Sequence, residues 1–297
     1  IFSLIQLNIS RAQQLGSRAQ AAFAQQNYNV ALLYAYQSNN IYKNDAADLV
    51  FSQIVYKNFP KVRGLSGHTS YLASVAWSGD GQLASGSDDN TVIVWDLSSG
   101  QPAQILEGHE DSVASVDWSL DGLLASGSYD NTVIIWDLSS SQPAQTLEGH
   151  TAPVVSVAWS VDGQLASGSY DNTVIIWDLI SSQPAQVLEG HVSDVASVAW
   201  SVDGQLASGS ADDTVIIWDL NLDQSARTLN GHTSDVASVS WSADEQLASG
   251  SDDNTVIVWD LSSGQPAQTL EGHEDSVTSV TWSVDGQLAS GSYDGTV

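Results

Sequence analysis

The 297-residue chain contains no cysteine and no methionine. The first absence excludes disulfides, thiolate nucleophiles and cysteine-ligated zinc or iron–sulfur centres, and it fits a reducing compartment such as the cytoplasm. The second extends to position 1 and suggests a piece of a longer chain. Bases are scarce as well, seven against 35 Asp and Glu, and six of the seven lie before residue 64. From there onward Arg227 stands alone against 33 acids. A surface so acidic repels phosphate, which argues against nucleic acid, and it attracts basic peptides or cations. No apolar run reaches the roughly 18 residues of a membrane-spanning helix. No signal peptide opens the chain, so this segment is expected to make no membrane contact.

What is present is a repeat. Gly-His recurs at 67, 108, 149, 190, 231 and 272, always 41 residues apart, and those pairs hold all six histidines. Trp-Asp follows at 95, 136, 177, 218 and 259, and another tryptophan stands ten residues after each of these glycines. Strict periodicity of this kind indicates stacked copies of one supersecondary unit. Within a copy the residues spell four short strands, as in "SVASVDWS" (112–119), "LLASGS" (123–128), "TVIIWDL" (132–138) and "AQTLE" (144–148). Asp121-Gly122 and Asp130-Asn131 are turn pairs that accept positive φ. The third strand is apolar on successive residues, so both of its faces are buried. A sheet buried on both faces needs a neighbour on each side, and radial stacking supplies both.

Gly-His, Asp-Gly, Asp-Asn and Trp-Asp at this spacing closely resemble the WD-repeat β-propellers, over residues 61–297. The resemblance implies an all-β fold of four-stranded antiparallel blades around a channel lined by the "SVASVDWS" type of strand. It also implies a usual ring of seven blades. The sixth copy stops at "SYDGTV" before its tryptophan, and Lys61–Ser66 reads as a strand that would close a ring. The expectation is therefore a chain that continues beyond residue 297.

Each copy carries histidine, serine and aspartate at fixed offsets, a set that invites comparison with a catalytic triad. With the nearby tryptophan, the first set is His68, Ser85, Asp89 and Trp95, and the second His109, Ser126, Asp130 and Trp136. The third is His150, Ser167, Asp171 and Trp177. The fourth is His191, Ser208, Asp212 and Trp218, and the fifth His232, Ser249, Asp253 and Trp259. An enzyme has no use for five equal active sites. The resemblance implies instead a buried hydrogen-bonded tetrad in each blade, a network that fixes one arrangement. The 21-residue His-to-Asp spacing matches no compact metal motif, so neither metal nor cofactor is expected. The tryptophans read as core; Trp136→Ala should cost about 3–5 kcal/mol.

If sameness is architecture, recognition belongs where the copies differ. One variable column follows each Gly-His and includes Tyr71, Asp111, Asp194, Asp235 and Asp275. A second precedes each turn aspartate: Asp88, Tyr129, Tyr170, Ala211, Asp252 and Tyr293. Because strands alternate direction, both columns emerge on one rim, as an aromatic and acidic face. Tyrosine is enriched at interfaces, and the acids would select a basic protein or peptide. A third column, on the channel strand, reads Ala76, Asp117, Ala158, Ala199, Ser240 and Thr281, with Asp117 its only carboxylate. Copy four departs elsewhere, at Asn221-Leu222-Asp223, Ser225 and Arg227, and copy five has Asp244-Glu245 for Asp-Gly, which should strain or reshape the turn.

Residues 1–60 are different material. Helical spacing of Ile5, Ile9, Ala12, Leu15, Ala19 and Ala22 predicts a helix over 3–26, with others over Val30–Gln37 and after Asn44 or Asp45. The segment resembles the helical neck before WD-repeat arrays in large bacterial multidomain proteins. The reading is thus a helical neck followed by a non-enzymatic interaction platform. The alternatives are the sensor arm of a signalling protein whose effector lies upstream, and a propeller enzyme with its site at the channel mouth.

Overall fold

The computed structural model describes residues 64–138, 142–218, 220 and 226–297. The chain divides into two units, Ile1–Gly64 and Leu65–Val297. The expected neck helices, and Asn221, Leu222, Asp223 and Ser225, lie outside the described residues. Among the described residues the second unit is all-β, with 22 strands forming five four-stranded sheets and one two-stranded sheet.

Sheet 1 comprises β1 (Leu72–Trp77), β2 (Leu83–Ser87), β3 (Thr91–Asp96) and β4 (Gln101–Glu107). Sheet 2 comprises β5 (Val113–Trp118), β6 (Leu124–Ser128), β7 (Val133–Asp137) and β8 (Gln142–Leu147). Sheet 3 holds β9 (Val154–Trp159), β10 (Leu165–Ser169), β11 (Thr173–Asp178) and β12 (Gln183–Glu189). Sheet 4 holds β13 (Val195–Trp200), β14 (Leu206–Ser210), β15 (Thr214–Trp218) and β16 (Arg227–Asn230). Sheet 5 holds β17 (Val236–Trp241), β18 (Leu247–Ser251), β19 (Val256–Asp260) and β20 (Gln265–Leu270). Sheet 6 pairs β21 (Val277–Trp282) with β22 (Leu288–Ser292). Each sheet is an antiparallel meander in sequence order, so every blade is local in the chain. Gly64–Ser66, the described part of the expected closing strand, belong to none of the 22 strands.

The turns behave as their residues require. Asn131 and Asn172 sit in the left-handed region at φ 72° and 70°, where asparagine is tolerated better than most side chains. Glu245 keeps the turn that glycine makes in other copies, at φ 60°, and its carboxylate accepts the Asp203 N–H at 3.1 Å.

The core lies between blades. Ala125, Val133, Ile135 and Leu147 of sheet 2 pack against Val154, Val157 and Trp159 of sheet 3, all buried. Apolar surface removed from water drives this stacking, and the contact is close. A Cβ on Gly168 would meet Val195 Cγ1 at 2.8 Å, and one on Gly149 would meet Pro184 Cγ at 2.9 Å. Polar ties run beside the apolar ones. The N–H groups of Val116, Val157, Val198, Val239 and Val280 donate to the hydroxyls of Ser74, Ser115, Ser156, Ser197 and Ser238 on the preceding inner strand, at 3.0–3.1 Å. Blade 1 shows the same apolar set bare: Leu72, Val75 and Trp77 are exposed, whereas Val113, Val116 and Trp118 at the matching positions are buried.

Candidate functional site

Three places could carry chemistry or recognition: the His–Ser–Asp sets, the channel carboxylate and the variable rim. In blade 3 the Trp177 indole N–H donates to Ser167 Oγ at 2.8 Å, and Ser167 Oγ lies 2.7 Å from His150 Nε2. His150 Nδ1 lies 2.9 Å from Asp171 Oδ2. An indole can only donate and a carboxylate only accepts. The chain of hydrogen bonds therefore runs one way: Trp177 N–H to Ser167 Oγ, Ser167 O–H to His150 Nε2, His150 Nδ1–H to Asp171. The carboxylate also accepts from Thr173 Oγ1 at 2.6 Å and from the Thr151 N–H at 2.9 Å.

The other blades repeat this geometry. In blade 1 the Trp95 indole N–H donates to Ser85 Oγ at 2.8 Å, Ser85 Oγ lies 2.8 Å from His68 Nε2, and His68 Nδ1 lies 3.0 Å from Asp89. In blade 5 the Trp259 indole N–H donates to Ser249 Oγ at 2.9 Å, Ser249 Oγ lies 2.7 Å from His232 Nε2, and His232 Nδ1 lies 2.9 Å from Asp253. Trp136, Ser126, His109 and Asp130 do the same in blade 2, and Trp218, Ser208, His191 and Asp212 in blade 4. His273, Ser290 and Asp294 repeat the set without a tryptophan.

Burial pushes His191 below its ordinary pKa, with Asp212 only partly offsetting this, so its ring is neutral at pH 7. Burial alone would raise the Asp89 carboxyl, but hydrogen bonds from Thr91, the Thr69 N–H and His68 outweigh it and bring the group to about 2. Ser85, Ser126, Ser167, Ser208 and Ser249 are buried with both hydrogen-bonding roles filled, so no substrate can reach their oxygens. Trp95, Trp136, Trp177, Trp218 and Trp259 are buried with them. These sets are struts between strands.

Asp117 lies on inner strand β5, and both carboxylate oxygens are engaged. One accepts the Trp118 N–H at 2.9 Å and the other the Trp159 N–H of the next blade at 2.8 Å. Burial raises its pKa to about 6 despite these two donors. The Asp117 carboxylate is thus a second tie between blades 2 and 3, beside the Ser115 hydroxyl.

The two rim columns are brought together by the backbone. The N–H groups of Asp88, Tyr129, Tyr170, Asp252 and Tyr293 donate to the carbonyls of Tyr71, Ser112, Pro153, Asp235 and Ser276 at 2.9–3.0 Å. Tyr129 and Tyr170, from neighbouring blades, meet edge to face with centroids 6.1 Å apart. They are 41% and 37% exposed. Tyr170 is pushed up to about 12 by burial, by its hydrogen bond with Tyr129 and by nearby Asp194. Farther along the rim, burial and the charges of Asp252, Asp213 and Asp194 raise Asp235. Tyr129, Tyr170, Asp194, Asp235 and Asp252 therefore form one stretch of surface. Tyr71 and Asp88 belong to blade 1, and Asp275 and Tyr293 to blade 6. Asp111 and Asp275 each accept the N–H of the following serine. Sequence reasoning missed Asp213, an aspartate where copies one, two, three and five have asparagine. It also missed the five inner-strand serines, whose partners lie 42 residues ahead.

Among the described residues no group of three or more His, Cys, Asp or Glu is arranged to hold a metal ion. None forms a helix long and apolar enough to cross a membrane.

The model of the WD domain, G-beta repeat, matches residues 59–96, 100–137, 141–178, 182–219, 223–260 and 264–297, well over half of the chain. The chain belongs to the WD-repeat family. Each match spans the Gly-His, the turn aspartate and, in the first five, the Trp-Asp of one WD repeat. Among curated proteins, a chromatin assembly factor 1 subunit of Mus musculus is 42% identical over 55 residues, and its counterpart in Gallus gallus 39% over 56. Each of these alignments covers 18% of this chain and 10% of the relative. The WD-repeat chain thus spans a small part of the relatives that it matches.

Proposed function

We propose that this WD-repeat unit is a non-enzymatic platform that binds a basic protein or peptide segment on the rim carrying Tyr129 and Tyr170. The observation that carries the reading is the half-exposed tyrosine pair, continuous with Asp194, Asp213, Asp235 and Asp252. Aromatic faces attract cations, and Asp235, raised by burial and by the charges of its acidic neighbours, gains from a cation placed among them. Copies with the same framework but other residues at these positions would select other partners. The short likeness to chromatin assembly factor subunits supports protein assembly as the class of activity.

A channel-mouth enzyme is disfavoured, because Asp117 spends both oxygens on backbone N–H groups. The bare Leu72, Val75 and Trp77 face supports a further neighbour for blade 1, as in a seven-bladed ring. We place the protein in the cytoplasm, in keeping with its lack of cysteine.

The test is a fluorescence-anisotropy titration with a labelled oligolysine peptide at rising salt. Affinity should fall with salt and drop about tenfold on Tyr129→Ala together with Tyr170→Ala, at unchanged melting temperature. Equal affinity of wild type and double variant would refute the assignment of the rim.

A further inference from the structure

Tyr129 and Tyr170 differ from the other rim tyrosines in being held in place before any ligand arrives. Their rings meet edge to face, and their backbone N–H groups are tied to the carbonyls of Ser112 and Pro153. Tyr71 and Tyr293, 83% and 75% exposed, make no ring contact among the described residues. An ordered aromatic pair loses little freedom on binding, whereas a lone exposed ring must first be immobilised.

The pair has also used its polar groups. The Tyr129 and Tyr170 side chains hydrogen-bond each other, so what they offer a ligand is ring surface. Copy four has Ala211 in the column where copies two, three and six have tyrosine. At the next blade's place in that column there is therefore only a methyl group. Asp194, half-buried on the loop before β13, is near enough for its charge to act on the Tyr170 hydroxyl. Asp194, Asp213, Asp235 and Asp252 enter none of the ion pairs among the described residues. Beyond Gly64 the only lysine or arginine is Arg227, and its guanidinium is on the Leu261 carbonyl. The cation that suits these acids has to come from a partner.

We infer that this rim selects arginine over lysine, with the guanidinium lying flat on the Tyr129–Tyr170 pair and its N–H fork turned to Asp194. The inference rests on the tyrosine-rim reading above and names the side chain that the rim prefers. The chemistry of the two bases decides between them. A lysine ammonium is a compact, strongly hydrated charge whose donors need oxygen acceptors, and a ring face supplies none. A guanidinium is planar and more weakly hydrated, with its N–H groups in its plane. Its face can stack on an aromatic ring while its edge bonds a carboxylate in bidentate fashion. Two tyrosine rings with a carboxylate beside them engage both surfaces of arginine at once, and hold lysine by charge alone. Asp213, Asp235 and Asp252 gain from any base and do not discriminate.

Fluorescence anisotropy with the whole chain tests this with two labelled peptides of equal length and charge. One carries arginine and the other lysine, spaced by glycine and serine, at one fixed salt concentration. The arginine peptide should bind about fivefold tighter. Tyr129→Ala with Tyr170→Ala should weaken both peptides and bring them within about twofold of each other. Tyr129→Phe with Tyr170→Phe, which keeps the ring faces, should retain the preference. Asp194→Asn should weaken the arginine peptide more than the lysine peptide. The phenylalanine pair and Asp194→Asn alter only partly exposed polar groups, so they carry the test if the alanine pair lowers the melting temperature. Equal affinity of the wild type for the two peptides would overturn the inference; if both peptides still weaken on the alanine pair, the tyrosine-rim reading stands. Peptides indifferent to the alanine pair and to Asp194→Asn would overturn the two together. An arginine preference that outlives the alanine pair, or is lost with the phenylalanine pair, would overturn the inference alone, because the ring faces would not be what selects.

Discussion

Replacing Ser167 by alanine removes one oxygen that serves two buried partners, and the cost can be worked from its surroundings. Ser167 Oγ is inaccessible; it accepts from Trp177 Nε1 at 2.8 Å and bonds His150 Nε2 at 2.7 Å. Alanine leaves an indole donor and an imidazole acceptor buried without partners. An orphaned buried polar group costs about 1–3 kcal/mol, so the pair should cost about 2–5 kcal/mol. For a unit of this size 1 kcal/mol corresponds to about 2–4 °C, which places the fall in melting temperature at roughly 4–20 °C. Thermal unfolding followed by circular dichroism, with urea unfolding for the free energy, is the assay. Ser290→Ala is the internal control. Ser290 is less buried and bonds His273 without a tryptophan donor, so its loss should cost about 1 kcal/mol or less. If Ser167→Ala costs no more than Ser290→Ala, the tetrads are not struts.

Local chemistry at a turn and at two carboxylates gives further expected outcomes. Glu245 occupies a left-handed position that costs a side-chain-bearing residue about 1–2 kcal/mol. Glu245→Gly, which also gives up the bond to the Asp203 N–H, should still stabilise by about 0.5–1 kcal/mol in urea unfolding; destabilisation would mean that the interblade bond dominates. Asp117, raised to about 6 by burial, takes up a proton more readily folded than unfolded, so its contribution is full below about pH 4 and is lost as pH rises through 6. Asp89, lowered to about 2, works the other way: its contribution is present above about pH 4 and lost as pH falls toward 2. The stability of wild type relative to Asp117→Asn should therefore decline between pH 4 and pH 7, and a flat difference would contradict the burial of this carboxylate.

Much of the framework is legible in the sequence because each blade is a local object. Hairpin turns, alternation and the His–Ser–Asp–Trp spacing all lie within 41 residues, and observed strands such as Val133–Asp137 sit inside the segments expected from their residues. What lies between blades is less legible. The Ser115 and Asp117 ties to Val157 and Trp159 depend on how two copies register against each other, which no single copy encodes. The rim shows the same limit. Tyr129 and Tyr170 are recognisable as variable positions, but their edge-to-face contact, and the accumulation of Asp213 with Asp194, Asp235 and Asp252, arise only when blades stack.

The most direct measurement is amide hydrogen exchange of the whole chain with and without a saturating oligolysine peptide. Slowed exchange is expected at the rim loops around Tyr129, Tyr170, Asp194, Asp235 and Asp252, with the amides of Ser126, Ser167 and Ser208 already protected and unchanged. Protection gained at those serine strands while the rim amides exchange as before would contradict the claim that the repeated residues hold the fold and the variable ones recognise the partner.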